Sequence, residues 1–353
     1  MPTKRRIYLD WNATAPLAEA ARQAIAEAMA TAGNPSSVHA EGRQARDRVE
    51  RARGQVAALV GRPREQVVFT SGGTEANWLG VMALAQLAER RGLARVVACA
   101  RIEHPSLRGA AEALAARGWT LRDEAVGDAS IVCIGLVNHE LGTVHDVAAG
   151  ALVHVDAVQA AGKLALRELA ADSIAISAHK LGGPQGVGAL AIAHDDALPV
   201  AFAGHQERGR RPGTENLLGI AGFGAVATVD PASWAPVAAL GERLERGLLA
   251  LPGVRIHGAA ARRVGGTINA GFAGARGQDV VIALDLAGVA ASTGAACTSG
   301  SVQPSPVLLA LGFTPDEARE AVRFSLGRAT TAEDVDEVLA VLPAIVERAR
   351  QHR

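Results

Sequence analysis

The first two thirds of the chain alternate short apolar runs with segments of helical period, and this alternation most constrains the fold. The runs are rich in valine and isoleucine and are bounded by turn residues, which predicts buried strands. They are residues 67–69, 96–99, 131–137, 152–155, 174–176 and 189–192. Helical periods lie between several of them, as in residues 76–91 and 107–117. This order predicts an α/β fold whose mostly parallel sheet is covered on both faces.

The pattern changes near residue 230, where a long helical stretch begins and runs to about residue 251. The segments beyond it are two predicted strands (264–268 and 280–286), a capping-box helix start at 314–317 and a long amphipathic helix over 331–350. We therefore expect two domains: a large domain over residues 14–230, and a smaller α+β C-terminal domain over residues 231–353 that also includes residues 1–13.

Composition excludes several classes of protein. The 36 basic and 36 acidic residues of the 353 cancel, so no overall positive field favours nucleic acid or an anionic membrane. No stretch approaches the roughly 18 consecutive apolar residues of a membrane span, and the N-terminus lacks the apolar core of a signal peptide. Three cysteines cannot form a disulfide framework, which favours a reducing compartment. We expect a cytoplasmic protein.

One lysine stands out because lysine is rare in this chain. Only Lys4, Lys163 and Lys180 are lysines among the 36 basic residues. Lys180 follows an apolar strand and precedes a glycine-rich turn. A lysine in such a place can be desolvated and lose its proton readily, as Schiff-base chemistry requires. The alternative is a surface lysine beside a flexible loop.

Two further motifs follow predicted strands. Residues 70–77 (TSGGTEAN) place two glycines and hydroxyl side chains at a strand-to-helix turn, where backbone amides can bind a phosphate. Asp156 directly follows the predicted strand at residues 152–155, at the edge where ligands bind in open α/β folds. Its carboxylate would favour a cationic ring nitrogen. Each motif also has a structural reading as a helix cap.

Cys297 and Arg323 are the candidate reactive groups of the last third. Cys297 lies in a loop of small residues between glycines, which predicts an accessible thiol. Cys99 and Cys133 instead lie in predicted strands, where a buried and inert thiol is expected. Arg323 can hold a carboxylate through two parallel hydrogen bonds. A zinc site is not expected, because His139 and His145 are six residues apart instead of four.

Taken in order, these segments resemble the cysteine desulfurases, pyridoxal phosphate (PLP) enzymes of the class V aminotransferase superfamily with the type I fold. The resemblance extends over nearly the whole chain, and its strength comes from the number and order of the motifs. The segments that carry it are residues 8–14, 33–37, 70–77, 103–104, 137–142, 156–159, 177–180, 207–214, the Cys297 loop and 323–328.

The resemblance implies a role for each candidate residue. Lys180 would bind PLP covalently, Asp156 would pair with the pyridinium nitrogen, and His104 would stack on the ring and assist proton transfer. The other cofactor-binding residues would be Gln159 at the ring hydroxyl, His139 beside the cofactor, and Gly73, Thr74, Ser177 and His179 at the phosphate. Thr214 would reach the phosphate of a neighbouring subunit, which implies a homodimer. Arg323, Asn12 and His139 would bind the substrate.

The reaction that the resemblance implies removes sulfur from L-cysteine. Cys297 would attack the substrate sulfur, so that alanine is released and a persulfide remains on the enzyme for a sulfur-acceptor protein. Iron-sulfur cluster assembly is the expected pathway, although no motif names the acceptor. Two alternatives stay open: another class V PLP enzyme, such as a selenocysteine lyase or an aminotransferase, and a diverged PLP-binding scaffold without activity.

Three features depart from the family pattern. His139 stands where an asparagine is usual, and Gly204 is followed by His205 and Gln206 instead of a glycine run. The connections near residues 122–130 and 147–152 are shorter than usual, so covering helices are expected to be missing there.

Overall fold

The computed structural model describes residues 5–30, 32–124, 127–147, 150–194, 198, 203–294 and 303–351. The α-helices are α1 (Glu19–Met29), α2 (Ala40–Val60), α3 (Gly73–Arg90), α4 (Pro105–Ala115), α5 (Leu217–Val226), α6 (Ala235–Leu249), α7 (Gly277–Leu286), α8 (Pro306–Ala310), α9 (Pro315–Arg319) and α10 (Ala332–Gln351). The strands are β1 (Ile7–Tyr8), β2 (Val67–Thr70), β3 (Val96–Cys99), β4 (Thr120–Arg122), β5 (Ile131–Gly135), β6 (Leu152–Asp156), β7 (Ser173–Ser177), β8 (Gly188–Ile192), β9 (Val254–Ile256), β10 (Thr267–Phe272), β11 (Val289–Ala290) and β12 (Ala321–Ser325).

Seven strands form a mixed, mostly parallel sheet in the order β2-β8-β7-β6-β5-β3-β4. Only β8 runs antiparallel to its two neighbours. The inner strands β6, β7 and β8 are buried at every position, which explains their continuous apolar sequence. The predicted α/β fold is therefore confirmed.

Contacts divide the chain into two compact units. Unit 1 comprises residues 1–14, 137–144 and 232–353, and unit 2 comprises residues 15–136 and 145–231. Unit 2 contains the seven-stranded sheet, and its core packs α3 and α4 against the strands. Unit 1 contains the antiparallel sheet β12-β10-β9 and the parallel pair β1-β11. The division into a large PLP-binding domain and a small domain remains a proposal.

The helix α10 shows how the sequence forms the core of unit 1. Its buried residues follow a spacing of three or four, which puts them on one face. These include Val335, Val338, Leu342 and Ile345, which join the unit 1 core with α6 and α7. The predicted capping box is also present, since Thr314 and Glu317 exchange hydrogen bonds at the start of α9.

Two strand predictions in the last third were wrong in type or position. Residues 280–286 are the last seven of the ten residues of helix α7. Val280 and Leu284 are four apart and fully buried, whereas Ile282 is 51% exposed, so the apolar run is one side of a helix and not a strand. The strand predicted at 264–268 begins later, as β10, because Gly265 and Gly266 take the left-handed conformation.

The two short connections take different routes. Residues 123–124 and 127–130, which the structure describes between β4 and β5, form no helix. Between β5 and β6, the described residues 136–147 also lack a helix, and residues 137–144 belong to unit 1. The expectation of missing helices therefore holds for the part of each connection that is described.

In the described part of the chain, no individual helix has the length and apolarity to cross a membrane. One bent pair, α5 with residues 231–249, meets the criteria of length and composition together.

Candidate active site

The candidate cofactor residues of unit 2 follow strands that end at one edge of the seven-stranded sheet. The strands β3, β5, β6 and β7 are parallel, so their carboxyl ends share an edge. Asp156 is the last residue of β6, Ser177 is the last residue of β7, and His104 follows β3. Ligands of open α/β folds bind outside such an edge. Strand direction therefore places the predicted residues on the side that favours ligand binding.

Asp156 is held at both carboxylate oxygens. The side chain is 8% exposed. Its Oδ2 accepts a hydrogen bond from Asn77 Nδ2 at 2.7 Å, and its Oδ1 accepts one from the Val158 amide at 2.9 Å. Two donors on a buried carboxylate fix its direction and leave it as an acceptor for a further proton donor.

His104 is the N-cap of α4 and belongs to the same electrostatic group. Its Nδ1 accepts a hydrogen bond from the Ser106 amide at 3.2 Å. Desolvation lowers the pKa of His104; the negative charge of Asp156 opposes this shift, and the positive charge of Lys180 adds to it. The shift favours a neutral imidazole, the form that can take up a proton.

Lys180 and His179 lie in a short 3-10 turn, Ala178–Lys180, directly after β7. The backbone of this turn is anchored, because the His179 carbonyl accepts from the Ala15 amide at 2.9 Å. Burial, with the Lys180 charge as the smaller cause, lowers the pKa of His179 to about 4. His179 is therefore neutral at pH 7, and its ring can donate one hydrogen bond to an anion.

Three of the predicted phosphate residues lie at the start of the long helix α3: Gly73 and Thr74 open it, and a Cβ atom at Gly73 would lie 3.6 Å from Ser177 Cβ. Its N-cap, Gly72, has no side chain to cap the first turn, so the helix presents backbone amides and the hydroxyl of the exposed Thr74. At Gly73, a Cβ atom would lie 2.7 Å from Val158 Cγ2. The helix start thus approaches the loop after β6 so closely that only glycine fits there.

Gln159 and Thr214 occupy separate positions in unit 2. Gln159 is buried, and its Oε1 accepts from Lys163 Nζ at 3.3 Å, which orients the amide. Thr214 is exposed and lines a cleft with Ser71 and Arg211. The role of Thr214 toward the phosphate of a second subunit stays a prediction.

The donor set of unit 2 matches the chemistry of PLP. A carboxylate with both oxygens already oriented suits a pyridinium nitrogen, and a lysine amine suits an aldehyde. The start of α3, its glycine and hydroxyl neighbours, and a neutral histidine suit a phosphate. The residues present therefore fit this cofactor.

The predicted carboxylate-binding group lies in unit 1. Arg323, on β12, is 5% exposed. It donates to Asp10 Oδ1 at 2.8 Å and to the backbone carbonyl of His139 at 3.1 Å. Asn12 Nδ2 donates to the same carbonyl at 3.2 Å. The structure thus brings together all three residues that were predicted to bind the substrate.

The ring of His139 lies beside a buried acid. His139 Nε2 is 3.7 Å from Glu140 Oε1, and Glu140 is 1% exposed. Burial is the main cause that raises the pKa of Glu140, while the hydroxyl of Ser305, which donates at 2.6 Å, and the charge of Arg323 act against it. The imidazole that replaces the usual asparagine therefore borders a polar, buried layer of unit 1.

The three cysteines fall in different situations. Cys297 lies outside the described residues. Cys99 and Cys133 are buried on neighbouring strands, and burial raises the pKa of both thiols. Both thiols stay protonated at neutral pH, which makes them unsuited to nucleophilic attack.

Sequence reasoning missed several polar residues that support the site. Asn77 and His154 are both fully buried, and they connect Asp156 to Ser173 through hydrogen bonds. One local signal existed, since His154 lies two residues before Asp156 on one strand and so shares its face of the sheet. The missed ion pair between Arg323 and Asp10 spans 313 positions and leaves no local pattern.

The family model "Aminotransferase class-V" matches residues 7–338. A cysteine desulfurase of Trichormus azollae is 37% identical over 379 residues, covering 98% of this chain and 94% of the relative. "Cysteine desulfurase IscS 1" of Archaeoglobus fulgidus is 34% identical and covers 97% of both chains. Among solved structures, a NifS-like protein has a TM-score of 0.86 and 28% identity, covering 97% of this chain and all of its own.

Proposed function

Because the chain belongs to the class V aminotransferase family and is a PLP-dependent cysteine desulfurase, we propose that its two units divide the work of the reaction. Unit 2 holds the cofactor, and unit 1 supplies the groups for the substrate carboxylate and the sulfur. The main support is that Asp156 ends β6, that His104 and Lys180 follow β3 and β7 at the same sheet edge, and that the charges of Asp156 and Lys180 both act on His104.

In unit 2, Lys180 supplies the amine that carries PLP, and Asp156 receives the ring nitrogen. Bound PLP supplies an electron-withdrawing ring for the amino acid. His104 would lie against that ring and exchange a proton at Nε2, since its Nδ1 accepts from the Ser106 amide. Gln159 binds the ring hydroxyl. The phosphate ligands are Gly73, Thr74, Ser177 and His179.

In unit 1, Arg323 binds the carboxylate of L-cysteine. The guanidinium carries five N–H donors, of which described residues use two, at Asp10 and at the His139 carbonyl. Further donors therefore serve a second carboxylate. Asn12 and His139 lie beside the Arg323 guanidinium, since Asn12 and Arg323 donate to the same His139 carbonyl. The His139 ring takes the place of an asparagine as a hydrogen-bond donor toward substrate and cofactor.

Cys297 accepts the sulfur. Its thiolate forms a bond to the sulfur of the substrate as the carbon-sulfur bond breaks. The carbon that loses the sulfur gains a proton, so that alanine leaves and a persulfide remains on Cys297. A second thiol must then take the terminal sulfur, which calls for an acceptor protein; iron-sulfur cluster assembly is the pathway that the resemblance to the cysteine desulfurases implies.

The enzyme acts as a cytoplasmic homodimer in this proposal. Thr214 is exposed in the single chain, beside Ser71 and Arg211, and a second subunit gives its hydroxyl a phosphate to bind. A balanced net charge and the few cysteines agree with a reducing compartment without a nucleic-acid partner.

The test compares the holoenzyme with its Cys297→Ser variant, using L-cysteine and a thiol reductant and measuring alanine and sulfide together. We expect equal amounts of both products from the wild type. The variant should keep the absorbance of lysine-bound PLP and lose both products, because serine cannot form a persulfide. A Cys99→Ser variant is the matched control and should remain active, since Cys99 is buried.

Two results would contradict the proposal. Sulfide release by Cys297→Ser at the wild-type rate would show that another group accepts the sulfur. An absorbance of lysine-bound PLP that survives in Lys180→Ala would show that the cofactor lysine is a different one.

A further inference from the structure

A buried chain of hydrogen bonds joins the two residues assigned to the PLP ring. Asn77, on α3, is fully buried and lies at its centre. Asn77 Nδ2 is 2.7 Å from Asp156 Oδ2 and 2.9 Å from Ser106 Oγ. Asn77 Oδ1 is 3.0 Å from His154 Nε2. The Asn77 amide therefore contacts Asp156, His154 and Ser106, and Ser106 in turn contacts His104.

The chemistry of the partners fixes the direction of every bond in this chain. A carboxylate only accepts, so the amide must present its nitrogen to Asp156 and its oxygen to His154. His154 Nε2 then carries the proton and donates it, which leaves Nδ1 as an acceptor for the hydroxyl of Ser173 at 2.7 Å. Burial lowers the pKa of His154 to about 3, in agreement with a neutral ring that has this one tautomer.

The second branch leads through Ser106 to His104, and the amide and hydroxyl of Ser106 fix the His104 tautomer. Ser106 Oγ accepts from Asn77 and lies 2.8 Å from His104 Nδ1. Because that nitrogen also accepts from the Ser106 amide, it carries no proton, and the hydroxyl donates to it. The exchangeable proton of His104 is confined to Nε2. The hydrogen bonds therefore all point in one direction. Ser173 donates to His154, and His154 donates to Asn77. Asn77 donates to Asp156 and to Ser106, whose hydroxyl donates to His104.

We propose that Asn77 is a positioning residue that sets the direction of the Asp156 carboxylate and of the Ser106 hydroxyl that donates to His104. This inference rests on the proposed function, in which Asp156 and His104 contact the PLP ring. Replacing Asn77 removes a donor from a buried carboxylate, which then turns away from the ring nitrogen or becomes protonated. It also removes the donor that keeps the Ser106 hydroxyl directed at His104.

The experiment measures the dissociation constant of PLP in Asn77→Ala, in parallel with kcat and KM for L-cysteine. We expect the dissociation constant to rise about ten- to a hundredfold, as for the loss of a hydrogen bond to a charged group. Ser106→Ala breaks only the His104 branch and should lower kcat severalfold while PLP binds as in the wild type. Asn77→Ser, whose hydroxyl is too short to bridge three partners, replaces Asn77→Ala if that variant does not fold.

A spectroscopic measurement separates positioning from packing. The pH midpoint of the absorbance of lysine-bound PLP should move in Asn77→Ala, because the Asp156 charge at the ring changes. Among the described residues, the titratable groups Lys180, which acts on His104, and Glu103, which interacts with Asp156, remain in the variant. Leu79→Ala, on the same helix and also buried, opens a cavity without removing a polar contact and should leave midpoint and affinity unchanged.

The outcomes distinguish this inference from the proposed function. Wild-type PLP affinity in Asn77→Ala, with weakened affinity in Asp156→Asn, would overturn the role of Asn77 alone. Equal losses in Leu79→Ala and Asn77→Ala would overturn it too, because packing would account for both. Unchanged affinity in Asp156→Asn, or a wild type that releases no alanine from L-cysteine, would instead refute the proposed function on which the inference rests.

Discussion

Arg323 binds the backbone of His139: the guanidinium donates to the His139 carbonyl at 3.1 Å. Asn12 donates to the same oxygen at 3.2 Å. The residue that departs from the family pattern is therefore anchored by an atom that every amino acid has. Its side chain can vary while the position of the backbone beside the predicted carboxylate site is kept.

We predict that His139→Asn keeps the fold and desulfurase activity. The two donors to the carbonyl remain, so the free energy of unfolding should change by less than about 1 kcal/mol in urea titrations. The KM for L-cysteine is the parameter expected to move, since only the side chain changes. Asn12→Ala, which removes a donor to the same carbonyl and to Thr267, is the contrasting variant and should raise KM. Loss of folding in His139→Asn would contradict this view.

We predict that Arg323→Lys raises the KM for L-cysteine by about ten- to a hundredfold. An ammonium cannot offer a carboxylate two parallel hydrogen bonds while it also contacts Asp10 and the His139 carbonyl. Steady-state kinetics and the absorbance of lysine-bound PLP would be recorded together, and the absorbance should stay unchanged. The control is Arg319→Lys, since Arg319 pairs with Asp316 at an exposed position. An unchanged KM in Arg323→Lys would place the carboxylate elsewhere.

We predict that the buried ring of His154 causes the free energy of unfolding to fall as the solution becomes acidic. Its pKa is about 3 in the folded chain, against an ordinary value of 6.5. Between these values the unfolded chain binds a proton that the folded chain does not, so the free energy of unfolding falls as the pH drops below 6.5. The slope from one such group is about 1.4 kcal/mol per pH unit.

The measurement is urea unfolding of wild type and His154→Gln between pH 4 and 7. The difference in free energy between the two proteins should shrink with acidification. Glu103, whose buried carboxyl has a pKa of about 8, acts in the opposite sense, so only the comparison isolates His154. His205→Gln changes an exposed ring and is the control. A constant difference across this range would show that His154 does not titrate on unfolding.

We predict that breaking the ion pair between Arg53 and Glu207 destabilises unit 2 strongly. Arg53 donates to both carboxylate oxygens of Glu207, at 2.6 and 2.8 Å, and both side chains are buried. Arg53→Ala leaves a buried carboxylate with only the Phe69 amide as a described donor, at an expected cost of about 3–5 kcal/mol.

The exposed pair of Arg64 and Glu65 supplies the control for this prediction. Its side chains are 61% and 59% exposed, so Arg64→Ala should shift the unfolding midpoint far less than Arg53→Ala does. Urea unfolding midpoints with equal slopes would measure both. Similar costs for the two variants would mean that burial does not set the strength of the Arg53 pair.

Local sequence patterns predicted those elements whose formation depends on neighbouring residues in the chain, such as short buried strands. The strand at residues 96–99 has the bounds that its short apolar run indicates. The apolar run at 280–286 could not be assigned in the same way, because its length suits a strand and a helix equally. Pairings such as Arg323 with Asp10, or His154 with Asn77, join residues 313 and 77 positions apart and depend on the complete fold.

The route of the chain between β5 and β6 also bears on how the protein can be made and divided. Residues 137–144 leave the seven-stranded sheet, belong to unit 1, and are followed by β6. A ribosome that has completed residue 231 has delivered every strand of that sheet, but only the first two of the three stretches that build unit 1. Those two stretches wait for residues 232–353, so the sheet can form early during synthesis, whereas unit 1 is completed last. A protein fragment that ends at residue 231 would therefore contain every strand of the sheet, but its residues 137–144 would lack the rest of unit 1 to pack against.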